Sequence, residues 1–472
     1  MNVFPDSSCL NRRDLLSRSA YGVGSMALWS LLSQEKGVLA APQPHFTPRA
    51  KNVIFIFMSG GPSHLDLYDP KPGMAALHGQ PVPESLTASL ADPLIRTSAR
   101  VMASPRKFQP YGKSGIEFSE LLAKTGEMAD EICLIRSMHC EQSNHDPAQL
   151  LLSCGTPLFG QPSMGSWVTY GLGSESQDMP GYVVLLSNSG KGVDAGSALW
   201  GSGFMPSTYR GVTFRSSGDP VLHLATPRGI SPVTQRARLD ALRDLNHMHQ
   251  QRTGDPEIAS RIASYELAYR MQSAAPELLD FRQETAETRN LYGLDNDLTR
   301  PFGTNCLLAR RMVERGVRFV QLFHSTWDDH SGLDKNLKTN CDMTDQPIAG
   351  LLRDLRQREM LDETLIVWAG EFGRTPMGEV RRGSSPGNEG RDHHPFAFSL
   401  WMAGGGVKRG HVHGSTDDFG YSVTENPMHV HDLQATILHL LGIDHERLTY
   451  RHSGRDYRLT DVAGRVVHEI IS

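Results

Sequence analysis

The sequence predicts an α/β protein built on a mostly parallel central sheet with helices on both faces. Three observations carry this. Residues 53–58 form an uninterrupted apolar run, the pattern of a strand buried on both faces, and Ser59-Gly60-Gly61-Pro62 ends it. From about residue 300 onward, helical and strand patterns alternate, as parallel strands with covering helices require. A chain of 472 residues is long enough to bury a core of that size.

Taken in order, the first strand is followed by a loop-rich segment over 69–112. EICLIRSM (131–138) reads as the next strand, and NHDPAQLLLSCGTP (144–157) as a turn followed by a helix. GYVVLLS (181–187) is another strand, and 188–232 is Gly/Ser/Pro-rich and irregular. Over 232–291 the pattern turns helical: Asp255-Pro256 marks a helix start, Ile258, Ile262, Leu267 and Met271 give it an apolar face, and Pro276 breaks or restarts it. Helices at 302–316, 348–362 and 430–443 alternate with strands at 317–324, 364–369 and 396–403, the last strand closed by Gly404-Gly405-Gly406. One domain over 42–472 is expected, with a helical and loop-rich insertion at about 188–300.

Bulk properties exclude some functions. A net charge of −5 offers no electrostatic footprint for nucleic acid or an acidic membrane surface. The six cysteines contain no CxxC pair, so a zinc ribbon or a thioredoxin-type site is unsupported. Cys133, Cys140 and Cys154 lie close in sequence and read as buried free thiols rather than a disulfide. At the N-terminus, Arg12-Arg13, an apolar stretch over about 20–32 and Val38-Leu39-Ala40 form the pattern of a twin-arginine signal peptide over 1–41. Export to the periplasm or beyond is the expectation. The apolar stretch is too short for a membrane span, so none is expected once the signal is removed.

Polar residues collect where the strands end. Ser59, His64 and Asp66 follow the first strand, and His324, Asp328, Asp329 and His330 follow 317–323. Glu371 and Arg374 follow 364–369, and Gly390-Arg391-Asp392-His393-His394-Pro395 precedes 396–403. Parallel strands bring their carboxyl ends to one rim, where open α/β sheets keep their sites. The first three sets should meet there. The fourth stands at a strand start, so either that strand runs antiparallel or its loop reaches over the rim. Mixed carboxylates and imidazoles form the ligand set of zinc, manganese or iron and also suit general acid–base work. Asp328 and His330, two apart, can face one side of an extended segment, whereas the adjacent His393 and His394 face opposite ways. Each set alone reads as readily as surface polarity or, for Glu371, as an ion pair with Arg374. His429, His431 and His439 read as structural.

The ordered series MSGGPSHLDLYDPKPG, NHDPAQLLLSCGTPLFGQPSMGSWVTYGLG, RFVQLFHSTWDDHSGL, IVWAGEFGRTP and GRDHHPFAFSLWMAGGGVKRG resembles the exported bacterial family called domain of unknown function 1501, within the alkaline phosphatase and sulfatase superfamily. The resemblance spans about residues 52–462. It implies an alkaline-phosphatase-like fold and a divalent metal, zinc, manganese or calcium, held by Asp328, His330, Glu371 and His393 or His394. It places His145 at the superfamily's nucleophile position, with Asp146 beside it, and Gln149 where an arginine is usual. Ser59 stands at the metal-binding aspartate of the first strand, and Phe372 at a metal-binding histidine. The activity implied is hydrolysis of a phosphate or sulfate ester, on a small molecule or a polysaccharide, with Arg374 or Arg391 holding the anion and metal-activated water replacing the missing serine or cysteine. The rival is a non-catalytic ligand-binding or structural protein with a degenerate site, or a partner in an exported complex.

Overall fold

The computed structural model describes residues 43–87, 99–187, 193–215, 221, 224–226, 229–378 and 387–472. The expected signal peptide over 1–41 and parts of the irregular 188–232 stretch lie outside them. Pro44–Ser472 form one compact unit.

The central sheet has nine strands: β1 (Asn52–Met58), β2 (Ile132–His139), β3 (Tyr182–Ser187), β4 (Val212–Phe214), β5 (Phe319–His324), β6 (Thr364–Ala369), β7 (Phe398–Ala403), β8 (His411–His413) and β9 (Met428–His429). Their order is β8-β2-β7-β6-β1-β5-β3-β4, with β9 also on β2. Strand β1 lies at the centre, parallel to β5 on one side and β6 on the other. Strand β7 alone runs against its neighbours, antiparallel to both β6 and β2. That reversal answers the question left open at Gly390–Pro395: the start of β7 lies at the rim where β1, β5 and β6 end.

The β1 side chains show why the sheet is covered on both faces. Ile54, Ile56 and Met58 enter one core, and Val53, Phe55 and Phe57 the other, the period-two alternation of a strand. The first core is closed by α5 (Arg300–Glu314) and α6 (Leu333–Gln357), the second by α1 (His145–Cys154), α2 (Met164–Leu172) and α7 (Val430–Leu440). Between them in sequence, α3 (Pro232–Thr253) and α4 (Pro256–Leu278) pack as a hairpin.

Several elements differ from the sequence reading; α2, β8 and β9 have no counterpart in it. Helix α6 starts at Leu333, well before 348, because Leu333, Leu337, Cys341 and Ile348 already form a buried stripe, and Pro347 sits inside it. Pro276 does not break α4; it lies in the last turn. Strand β4 falls in the stretch read as irregular; its three residues pair along β3 at the sheet edge, too short a run for a pattern to show.

Candidate metal centre

Five chain segments meet at the carboxyl rim. Strand β1 leaves through Ser59-Gly60-Gly61. Gly60 has φ +119°, and a Cβ there would lie 2.5 Å from the Asp328 backbone nitrogen. Only glycine lets the β1 exit and the loop after β5 pass so closely, and that passage places Asp328. Strand β5 delivers Asp328 and His330, β6 delivers Glu371 and Arg374, and the loop after β2 delivers His145 at the first turn of α1. His393-His394 pairs antiparallel with Gly373-Arg374 in a short ribbon, so the two rim loops fix one another.

The ligating atoms of His145, Asp328, His330 and His393 all lie within 4.8 Å of one another. Asp328 Oδ1 is 2.9 Å from His330 Nε2, 3.2 Å from His393 Nε2 and 3.3 Å from His145 Nε2. The His330 and His393 Nε2 atoms are 3.0 Å apart. Two atoms bound to one ion at 2.0–2.2 Å stand roughly 3–3.5 Å apart, so these spacings suit a common centre. The outer nitrogens set the orientation of two rings. His393 Nδ1 donates to the Ser143 carbonyl at 2.8 Å, and His145 Nδ1 donates to Glu371 Oε1 at 2.7 Å. His145 Nε2 is buried and, among the described residues, is not aligned for any hydrogen bond. Its close polar neighbour is Asp328 Oδ1, an oxygen that His330 and His393 also crowd, and a cation at the centre would satisfy these groups together. The side chains retain 14–21% exposure, so the centre opens to solvent.

The charges of the cluster are strongly coupled. Burial disfavours a charged His145, but the carboxylates of Glu371 and Asp328 outweigh it and push the imidazole up to about 9. Without a metal, a proton there joins the two carboxylates. Burial would raise the Asp328 carboxyl, yet the imidazoles of His145, His330 and His393 and the Arg374 guanidinium hold it far below the usual range. His393 is pushed down, chiefly by burial and also by the positive charge of Arg374 and its neighbouring imidazoles. A neutral imidazole is the form that binds a metal. By donor type and spacing the residues fit one divalent ion with three nitrogen ligands and one oxygen ligand.

The family model for "Protein of unknown function (DUF1501)" matches residues 50–471. The chain belongs to that family. Among solved structures, the PsFucS1 sulfatase of Pseudoalteromonas sp. aligns over 84% of this chain and 69% of its own, at 13% identity and a TM-score of 0.36. A protein of the alkaline phosphatase superfamily from Vibrio parahaemolyticus aligns over 85% and 68%, at 10% identity and a TM-score of 0.34. The alkaline phosphatase of the Antarctic bacterium TAB5 aligns over 77% and 92%, at 12% identity and 0.32. No curated protein matches. Likenesses this remote decide nothing about substrate or metal, and the chemistry rests on the residues themselves.

In this DUF1501 chain the expected site residues separate into two groups. Asp328, His330, His393 and His145 converge, and His145 contributes a ring nitrogen to the cluster. The others do not join them. His394 is buried on the opposite side of its ribbon, its Nε2 on the Tyr421 carbonyl at 2.6 Å, because consecutive extended residues alternate in direction. Glu371 lies across the His145 ring from the centre. Asp146 is exposed in the first turn of α1, and among the described residues no hydrogen bond or ion pair ties it to the cluster. Arg374 is 1% exposed and donates to Asp328 (2.8 Å) and to the carbonyls of Gly61 (2.9 Å) and Arg391 (2.8 Å). Arg391 is 0% exposed and is held by Asp66 (2.9 Å) and by the carbonyls of Met102 and Thr375. Both guanidiniums are spent inside the protein, so neither is placed to hold a substrate anion. Gln149 was unassigned in the sequence beyond its departure from arginine. It donates to Glu371 Oε1 (3.0 Å), Ser59 Oγ (2.9 Å) and Asp194 Oδ2 (3.1 Å).

Proposed function

We propose that His145, His330 and His393, each through Nε2, and Asp328 through Oδ1 hold one divalent metal ion, and that the protein is an exported metal-dependent hydrolase of phosphate or sulfate esters, on small molecules or polysaccharide. The observation that carries this is the solvent-accessible convergence of three imidazole nitrogens and one carboxylate oxygen. A bound divalent ion supplies Lewis acidity and lowers the pKa of water toward neutrality. The protein's part is positional. Glu371 and the Ser143 carbonyl aim two rings inward, Arg374 anchors Asp328, and Phe372 packs against His145 and His393 with ring centroids 5.1 and 4.5 Å apart. The test is metal analysis of the purified protein followed by assay against aryl phosphates and aryl sulfates. One ion per chain, with turnover lost in His393→Ala, supports the reading; neither metal nor turnover overturns it. A second reading, a binding protein on the same frame, is favoured by the internal commitment of Arg374 and Arg391. Stoichiometric metal with no turnover of any ester would support that reading instead.

A further inference from the structure

Resting on the metal-centre reading above, we propose that Glu371 is a positioning residue that fixes the ring of His145, with Nδ1–H outward and the Nε2 lone pair toward the centre, and that it is not itself a ligand. Its surroundings demand an acceptor. Glu371 is 0% exposed. The Gly60 backbone N–H reaches both of its oxygens, at 2.9 and 3.1 Å, Gln149 Nε2 donates at 3.0 Å, and His145 Nδ1 donates at 2.7 Å. The orientation of Gln149 is fixed in turn, since its Oε1 accepts from the Ala195 N–H at 3.2 Å. Every named neighbour is a donor, and a carboxylate is the one side chain that offers only acceptors.

Glycine brings the partners together. A Cβ at Gly61 would lie 2.6 Å from the Phe372 ring, so the Gly60-Gly61 pair lets the β1 exit close on Glu371-Phe372. Phe372 then flanks the His145 ring while Glu371 holds its outer nitrogen. The carboxylate–imidazole pairing raises the basicity of the nitrogen that faces the ion and removes the rotational freedom of the ring. Glutamine is a poor substitute, because its amide would turn an N–H toward the Gly60 or Gln149 donors.

The experiment titrates Zn²⁺ and Co²⁺ into the metal-free full-length protein, its Glu371→Gln and Glu371→Asp variants, and His145→Ala. Glu371→Gln should weaken both metals about 10- to 100-fold while leaving the visible Co²⁺ spectrum that of the parent. His145→Ala should change the spectrum. Glu371→Asp keeps the buried charge but withdraws it by one methylene, and should fall between parent and Glu371→Gln; circular dichroism checks that each variant is folded. As a readout independent of metal, the Nδ1–H proton of His145 should appear as a downfield, slowly exchanging NMR signal in the metal-free parent and vanish in Glu371→Gln. Parent-like affinity in Glu371→Gln, or a Co²⁺ spectrum showing a lost oxygen ligand, would overturn the positioning role. Failure of the parent itself to bind either metal would overturn the centre instead, with the proton signal still deciding whether Glu371 orients His145.

Discussion

Two polar clusters share the rim and close their hydrogen bonds differently. Around Asp66 and Arg391 each charge has its complement: the guanidinium meets the carboxylate at 2.9 Å, Ser63 Oγ donates to the same carboxylate at 2.5 Å, and the remaining donors reach carbonyls. Around Asp328 three imidazole nitrogens crowd one oxygen at 2.9, 3.2 and 3.3 Å, two of them 3.0 Å apart. Both clusters are built around an aspartate, and both take a residue from the loop before β7. A network of matched charges is closed architecture, and one in which four ligand groups crowd a single point is open to an ion.

The largest effect should come from opening the closed cluster. Asp66→Ala leaves Arg391 buried and unpaired, and breaking a buried pair this way costs about 3–5 kcal/mol, read as a fall in the urea midpoint. The folded fraction should still take up metal. A stable Asp66→Ala protein that had lost its metal would reverse the roles assigned to the two clusters.

Next in size is an acid sensitivity that belongs to architecture. His324 is buried at the end of β5, its Nδ1 on Ser187 Oγ at 2.8 Å, and burial pushes its imidazole down to about 4. The unfolded imidazole titrates near 6.5. Between those values the unfolded state binds more protons, so this contribution is fully present above about pH 6.5 and is lost progressively as pH falls toward 4, by about 3 kcal/mol at most. Urea unfolding across pH 4–7 should show that slope, and His324→Phe should reduce it. An unchanged slope would mean that other groups carry the acid sensitivity.

The open cluster should gain stability from metal. A ligand at a hundredfold excess over its Kd adds about 2.7 kcal/mol, so thermal unfolding should move upward with added Zn²⁺ in the parent and far less in His330→Ala. An equal rise in that variant would place the ion elsewhere.

The comparison also shows what could be read from sequence. The longer strands were legible as apolar runs, the short β4, β8 and β9 were not, and the gathering of polar residues at strand ends followed from parallel topology. The reversal of β7 was legible only as one of two alternatives, because it depends on which strand Phe398–Ala403 finds as a neighbour. The fate of the charges was not legible. Arg391 and Asp66 stand 325 residues apart, and whether an arginine is spent on an internal carboxylate or faces a substrate is settled only by such long-range closure. His393 and His394 illustrate the limit in two adjacent letters. The period of an extended segment separates them, and only the packing of Tyr421 against His394, with ring centroids 4.3 Å apart, decides which one turns away.

The central claim is that the four converging side chains bind one metal ion, and calorimetric titration of Zn²⁺ into the metal-free protein, run beside His145→Ala, His393→Ala and His394→Ala, tests it most directly. The account predicts one site per chain in the parent and in His394→Ala, and its loss or a weakening of at least about a hundredfold in His145→Ala and His393→Ala. No binding by the parent, or equal binding by all four proteins, would contradict it.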